Sequence, residues 1–129
     1  MILTGEIFSG FSVDDEDAAK DFYTNTLGLE LVDEQMARFR LPGGGTVLAY
    51  PKPNHEPATF TILNIVVEDI DEAVDELKAQ GVNFEHYENM SGLQDEKGIM
   101  RSAGKNTGPS IAWFKDPAAN ILSVIQADK

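Results

Sequence analysis

Whole classes of chemistry are missing from this sequence of 129 residues. It contains no cysteine, which excludes disulfides, thiolate metal sites and cysteine nucleophiles. Cationic side chains are few, since 10 Lys and Arg stand against 22 Asp and Glu and give a formal charge of −12. Phosphate backbones and anionic membranes are bound by clustered cations, so this balance argues against nucleic acid and membrane surfaces as partners.

Long apolar runs are also lacking. No run approaches the roughly 18 apolar residues that a membrane span requires, and residues 1–6 do not have the basic and apolar regions of a signal peptide. We therefore expect a soluble, cytoplasmic protein. With 42% hydrophobic and 25% charged residues, the composition is that of an ordinary globular protein, and the length predicts a single domain over residues 1–129.

Hydrophobic periodicity predicts a strand, a helix and several further strands, and then the same order again. The first helix carries Phe22 and Tyr23 and follows an acidic cluster, residues 14–17, that can cap its N terminus. The second helix starts where Asp69 and Glu72 have the spacing of a capping box. Strands are predicted at residues 7–13, 29–33, 37–41, 46–50, 59–67, 83–87, 110–115 and 121–125.

The two halves of the chain are similar in pattern. Residues 11–15, Phe-Ser-Val-Asp-Asp, match residues 65–69, Ile-Val-Val-Glu-Asp, and Leu-Gly-Leu at 27–29 matches Gln-Gly-Val at 80–82. A repeat of this kind determines the architecture, although a chance match between two strand–helix junctions is the alternative.

A proline-rich connector, residues 51–58, separates a first half of about residues 1–50 from a second half of about residues 59–129. The repeat predicts an α+β fold in which two βαβββ units form a curved mixed sheet around a cleft, with the helices outside.

Short motifs spread along the chain carry a family resemblance. A Val-Asp-Asp step occupies residues 13–15, Phe22 and Tyr23 follow on the helix, and a Phe-Lys-Asp-Pro-Ala-Ala-Asn turn occupies residues 114–120. Together they resemble the vicinal oxygen chelate superfamily, which includes glyoxalase I, bleomycin-resistance proteins, fosfomycin-resistance enzymes and extradiol dioxygenases. In that family a glycine usually stands where this chain has Ala119. The Asp-Pro turn also suits a structural role, and we expect it to set the register of the last strand.

The resemblance implies a divalent metal held by His, Gln or Glu from four strands. Carried over position by position, the ligand sites fall on Phe8, Leu48, Ile62 and Ser123. Hydrocarbon side chains offer a metal no donor atom, and a lone serine hydroxyl is a poor ligand. We therefore expect no metal, no other cofactor and no catalytic residue at the family's position.

Neither histidine suggests a metal site elsewhere. His55 lies in the proline-rich connector, where a solvated loop residue is the expected outcome. His86 lies in the predicted strand 83–87, where a partly exposed strand residue is expected.

Strand alternation predicts an apolar ligand cleft instead of a metal centre. Large aromatic residues among its candidates could equally belong to the core, because the pattern alone does not place their faces. An apolar cleft with isolated polar groups suits a ligand held by shape and stacking. The candidate ligand-facing residues are Phe8, Ser12, Phe39, Leu48, Tyr50, Phe60, Ile62, Asn64, Trp113 and Ser123.

These expectations favour a metal-independent protein that binds a small molecule, a drug or a metabolite, as the resemblance to bleomycin-resistance proteins implies. The alternatives are a metal-dependent glyoxalase-like lyase or dioxygenase, and a non-catalytic interaction domain with a filled cleft. The acidic charge favours a neutral or cationic ligand unless Arg38, Arg40 and Lys115 form a local basic pocket. The resemblance also implies a homodimer, and the glycines of residues 88–109 predict a mobile segment beside the cleft.

Overall fold

The chain divides after Pro57, inside the predicted connector, into two compact units, Met1–Pro57 and Ala58–Lys129. The computed structural model describes residues 2–88, 93–101 and 109–126. The described strands pair within each unit, so that each unit has its own sheet. Within these residues, no helix is both long enough and apolar enough to cross a membrane.

The first unit has the order strand, helix and three strands, as the sequence predicts. Its sheet has the strand order β1-β4-β3-β2, with β1 parallel to β4 and the other pairs antiparallel. Its elements are β1 (Ser9–Val13), α1 (Glu16–Asp21), a π-helical segment (Phe22–Thr26), β2 (Glu30–Asp33), β3 (Ala37–Arg40) and β4 (Thr46–Pro51).

The first helix begins at the acidic cluster and then widens. The Asp15 carboxylate accepts a hydrogen bond from the Ala18 amide at 3.1 Å, which satisfies a free N–H of the first turn. One continuous helix was the expectation, whereas the structure changes to π-helical geometry, in which the Leu27 amide donates to the Phe22 carbonyl five residues back. This wider turn carries Tyr23, which is fully buried.

The core of the first unit is an aromatic cluster under that turn. The ring centroid of Tyr23 lies 5.4 Å from that of Phe11 on β1 and 5.2 Å from that of Phe39 on β3. These spacings are within the range in which aromatic pairs attract beyond their buried area. The turn therefore connects the helix to two strands of the sheet.

The second unit repeats this order with one weakened strand. Its three strands have the order β5-β7-β6, with β5 parallel and β6 antiparallel to β7. The prediction of an α+β fold built from two βαβββ units is confirmed. The elements are β5 (Thr61–Val66), α2 (Ile70–Ala79), β6 (Ser110–Lys115) and β7 (Ile121–Gln126).

The predicted strand 83–87 is reduced to a single bridge between Phe84 and Phe114. The side chain of Gln94 takes the place of a partner strand. Its Oε1 accepts a hydrogen bond from the Tyr87 backbone N–H at 2.8 Å, and its Nε2 donates to the Glu85 carbonyl at 3.1 Å. With those backbone groups bonded to Gln94, the segment satisfies its hydrogen bonds without a full ladder.

The second helix follows the predicted signals closely. Asp69 caps it by accepting from the Glu72 amide at 3.1 Å, and Ile70 and Val74 are its buried residues. Gly81, which follows the helix, has a φ of 94°, a conformation that favours glycine.

A tight turn joins β6 to β7. One carboxylate oxygen of buried Asp116 accepts from the backbone amides of Ala118 and Asn120 at 2.9 and 2.8 Å. The Asn120 side-chain oxygen in turn accepts from the Ala58 amide at the start of the unit. Ala119 adopts a φ of 66° in this turn, at the position where the resembled family usually has glycine.

Ion pairs hold residues 93–101 against α2. The Asp71 carboxylate contacts Lys97 Nζ at 3.0 Å and Arg101 Nη1 at 2.7 Å, and Asp95 contacts Arg101 Nη2 at 2.9 Å. Hydrogen bonds from Arg101, and then from Lys97, hold the pKa of Asp71 well below its usual range. Burial raises the pKa of Asp95, but hydrogen bonds from the Ile99 amide, Arg101 and the Lys97 amide more than offset it and lower that pKa.

The described part of the predicted mobile segment is also paired with the sheet. Ile99 is fully buried, and Met100 exchanges backbone hydrogen bonds of 2.8 and 3.0 Å with Ile111 of β6. The rest of that prediction concerns residues 89–92 and 102–108, which lie outside the described residues.

Candidate functional site

In the first unit, the helix packs on one face of the sheet and a second set of side chains lies on the other. Helix α1 contacts β3 and β4, and Phe11 and Val13 are buried while Ser12 between them is half-buried. Strand alternation therefore places Ser12 and Leu48 on the face away from the helix. Tyr50 pairs in register with Ser12 and is 42% exposed.

Phe39 does not share that face. It is fully buried and lies against Tyr23 in the core, whereas its neighbours Arg38 and Arg40 alternate to the opposite face. The structure thus removes Phe39 from the predicted ligand-facing set. The sequence of β3, Ala-Arg-Phe-Arg, alternates apolar and charged residues, and this alternation could have placed Phe39 in the core with Ala37.

His55 is bonded to β1 and is not the solvated loop residue that the sequence predicts. Its Nδ1 lies 2.6 Å from Ser12 Oγ, and both residues belong to the first unit. The connector folds back because β4 runs parallel to β1, so that the residues following both strands leave the sheet at the same end. The Lys52 backbone amide donates to the Val13 carbonyl at 3.0 Å, so the connector is already bonded to the end of β1 at its second residue.

The three cations of the predicted basic pocket each contact a glutamate. Arg40 Nε lies 3.2 Å from Glu30, and Lys115 Nζ lies 3.4 Å from Glu85. The remaining cation, Arg38, lies 3.4 Å from a Glu6 carboxylate oxygen.

Arg38 also stacks on an aromatic ring. Its guanidinium carbon lies 4.1 Å from the ring centroid of Phe8, a predicted site residue that is 45% exposed. Sequence reasoning placed Phe8 in an apolar cleft, whereas the structure gives its ring a cationic partner.

On the face of the second sheet that lies away from α2, three predicted site residues form one row. Helix α2 contacts β6 and β7, and Asn64 on β5, Ser123 on β7 and Trp113 on β6 pair in register across the three strands. Residues in register on neighbouring strands project from the same face. Three of the predicted site residues therefore lie side by side.

A hydrogen bond connects two members of this row. Ser123 is fully buried, and its hydroxyl donates to Asn64 Oδ1 at 2.6 Å. Asn64 itself is exposed.

The third member is held by an aromatic neighbour that sequence reasoning missed. The ring of Tyr87 meets that of Trp113 at 5.7 Å and 68°, an edge-to-face contact. Burial, and then the nearby Glu85 carboxylate, raise the pKa of Tyr87, so its phenol is neutral at physiological pH.

Apolar residues adjoin this row, and two further predicted residues, Ile62 and Phe60, belong to the same unit. Val66, Ile125 and Ile111 form the next row toward one end of the sheet, and Val66 is 75% exposed. A bulge between Thr61 and Leu63 leaves Ile62 without a pairing partner in the ladder. Phe60 precedes β5 and is 67% exposed.

The four positions that the resemblance assigns to metal ligands do not fit a divalent metal. Phe8, Leu48 and Ile62 carry no donor atom, and the Ser123 hydroxyl is bonded to Asn64. In the part of the chain that the structure describes, no three His, Asp or Glu side chains are grouped so as to hold a metal.

Comparison with solved structures shows the same fold in proteins of low sequence identity. TnmS3, an antibiotic-binding protein from a Streptomyces species, superposes with a TM-score of 0.72 at 20% identity, and the match covers 99% of both chains. Lactoylglutathione lyase from Agrobacterium tumefaciens gives a TM-score of 0.66 at 21% identity, covering 98% of this chain and 96% of that one. The fosfomycin resistance protein FosX from Listeria monocytogenes gives 0.68 at 15% identity, covering 98% and 95%.

None of the curated protein sequences is significantly similar to this chain. The family model described as the Glyoxalase/Bleomycin resistance protein/Dioxygenase superfamily, however, matches residues 8–120, which is most of the chain. The repeated βαβββ units, the Asp-Pro turn and this match agree, and the chain belongs to the glyoxalase/bleomycin resistance protein/dioxygenase superfamily.

Proposed function

We propose that this chain is a metal-independent protein that binds a small organic molecule, a drug or a metabolite, without transforming it. The observation that carries the proposal is the side-chain chemistry at the family's metal positions, where three hydrocarbon groups and one hydrogen-bonded hydroxyl replace the usual ligands. An antibiotic-binding protein of the same fold supports the same kind of ligand.

The charges support a ligand that is neutral or cationic. The net charge of −12 disfavours the approach of anions, and Arg38, Arg40 and Lys115 each contact a glutamate that offsets their charge. Tight binding of a phosphate- or sulfate-bearing compound would contradict this part of the proposal.

The proposal is tested by metal analysis of protein purified without chelator or histidine tag. We expect a metal content far below one ion per chain. Addition of zinc, nickel, manganese or iron is expected to leave the melting temperature nearly unchanged, because a ligand stabilises a protein only by binding its native state.

The Ser123→Ala variant is the matched control for that measurement, and its metal content is expected to equal that of the wild type. Near-stoichiometric metal in the wild type that is lost in Ser123→Ala or in Asn64→Ala overturns the proposal. That result favours a metal-dependent lyase or dioxygenase instead.

A further inference from the structure

We propose that Asn64 is a specificity residue that recognises a carbonyl oxygen on a flat aromatic ligand, with Ser123 as its positioning residue and Trp113 as the stacking surface. The inference rests on the proposed function and gives the ligand a chemical class. All three residues belong to the second unit and pair in one row of its sheet.

The orientation of the Asn64 amide comes from Ser123. Because the Ser123 hydroxyl donates to Oδ1 at 2.6 Å, the amide oxygen faces the sheet and the NH₂ group points away from Ser123. Within the described residues, no side chain or carbonyl accepts a hydrogen bond from Asn64 Nδ2, and Asn64 is exposed. The side chain therefore presents its two N–H donors toward a ligand, while its oxygen is turned toward Ser123.

Ser123 can hold this orientation because it is fully buried. If the amide rotated, its NH₂ would donate to the Ser123 oxygen, and the Ser123 O–H would lose the acceptor that it has in Asn64 Oδ1. Leaving a buried donor without an acceptor costs about 1–3 kcal/mol. The buried serine thus selects one of the two amide orientations.

The spacing of the row suits an aromatic bicycle. Neighbouring strands lie about 4.8 Å apart, so the backbones of Asn64 and Trp113, with β7 between them, are separated by about twice that distance. A flat ligand that stacks on the Trp113 ring and extends across β7 brings a ring substituent to Asn64. The edge-to-face contact with Tyr87, at 5.7 Å between ring centroids, holds the Trp113 ring in place.

The surroundings determine which substituent fits. The adjoining row of Val66, Ile125 and Ile111 is apolar, and Lys115 contacts Glu85 at 3.4 Å. Since the row supplies neutral donors and the chain is strongly acidic, an uncharged acceptor is favoured over a carboxylate. The carbonyl of an aromatic ketone, amide or lactam has this chemistry.

The test compares pairs of probes that differ only at the acceptor. One pair is 2-acetylnaphthalene and 2-isopropenylnaphthalene, in which a methylene replaces the oxygen; a second is 1-indanone and 1-methyleneindane, in which the same replacement is made. Affinities are measured by titration calorimetry, and contact with the row by quenching of Trp113, the single tryptophan of the chain. We expect each carbonyl compound to bind about fivefold more tightly than its partner, the value of one hydrogen bond.

Three variants assign that preference to residues. Asn64→Asp replaces the donor NH₂ by an acceptor oxygen and is expected to abolish the preference. Asn83→Asp adds the same charge at an exposed position of the same unit and is expected to preserve it. Ser123→Ala frees the amide to rotate, so the affinity of the carbonyl compound is expected to fall while that of its partner is unchanged.

Outcomes that contradict the inference differ from those that contradict the proposed function. Equal affinities within each pair, a preference that survives in Asn64→Asp, or no binding of either carbonyl probe overturns the role of Asn64. None of these results changes the metal content of the purified protein, on which the proposed function is judged. If Ser123→Ala lowers the affinity for both compounds of a pair equally, Ser123 has only a structural role, and its positioning role is contradicted.

Discussion

Ala119 is the one non-glycine residue among those described that has a positive φ, at 66°. The turn requires this conformation, because Asp116 bonds the amides on both sides of Ala119 and the Asp116 N–H donates to the Asn120 carbonyl at 2.9 Å. A left-handed conformation costs an L-residue about 1–2 kcal/mol. The hydrogen bonds of the turn thus hold the residue in a conformation that glycine would adopt without strain.

We predict that Ala119→Gly stabilises the protein. Relief of the strain is partly offset by the greater freedom of glycine in the unfolded chain, which costs about 0.4–1 kcal/mol, so a net gain of roughly 0.5–1 kcal/mol is expected from the two terms. Urea unfolding measures it. Ala118→Gly is the matched control, since Ala118 has no positive φ and is buried, and it is expected to destabilise. A loss of stability in Ala119→Gly would contradict the argument.

At the scale of elements, the ion pairs of Asp71, Lys97, Arg101 and Asp95 connect residues 93–101 to α2. The Arg101 side chain is 44% exposed and that of Asp71 is 46% exposed, so water screens the interaction. Partly exposed pairs of this kind contribute about 0–1 kcal/mol. Their main effect is to hold one segment in place.

We predict that Arg101→Gln increases amide exchange in residues 93–101 and lowers the free energy of unfolding by less than about 1 kcal/mol. Arg40→Gln, which removes the exposed pair with Glu30, is the control and leaves that exchange unchanged. Unchanged exchange in Arg101→Gln would mean that Ile99 and Met100 alone hold the segment.

The same cluster predicts a pH dependence. The pKa values of Asp71 and Asp95 are lower in the folded chain than their ordinary values, so the unfolded chain binds more protons in acid and stability rises with pH. The stability difference between wild type and Arg101→Gln is therefore expected to be complete above about pH 5 and to shrink as the pH falls below the ordinary aspartate pKa of about 3.9. Thermal unfolding of both proteins across this range measures it, and a difference that grows toward acid pH contradicts the assignment.

At the scale of the whole molecule, a set of apolar side chains before β1 faces water. Ile2 is 93% exposed, Leu3 68% and Ile7 78%. Apolar side chains of this kind lose their contact with water when an interface covers them, and the homodimer implied by the family resemblance offers a second copy of the chain to cover them.

We predict that the protein sediments as a dimer at tens of micromolar and that Ile7→Asp shifts it to the monomer, because an aspartate in an apolar interface loses its hydration. Thr4→Asp adds the same charge to the same exposed segment and is expected to remain dimeric. A wild-type monomer at that concentration would contradict the homodimer, and a dimer in both variants would place the interface elsewhere.

Local signals predicted the order of the elements and most of their bounds. Asp15 and Asp69 begin the helices as capping residues, and Gly28 and Gly81 follow them with positive φ values. These features act over a few residues, through backbone groups near in sequence, and therefore can be read along the chain. The repeat and the family motifs followed from the same local patterns, and so did the α+β class.

Contacts between residues distant in sequence decided the rest. The face of Phe39 depends on Tyr23, the position of His55 on the parallel pairing of β1 with β4, and the loss of strand 83–87 on the Gln94 side chain. At the candidate site, the sequence placed Asn64 and Ser123 among the ligand-facing residues, but the hydrogen bond between them joins positions 59 residues apart. The sequence determines which donors and hydrocarbon groups the chain carries; strand register, a property of the folded backbone, decides which of them meet.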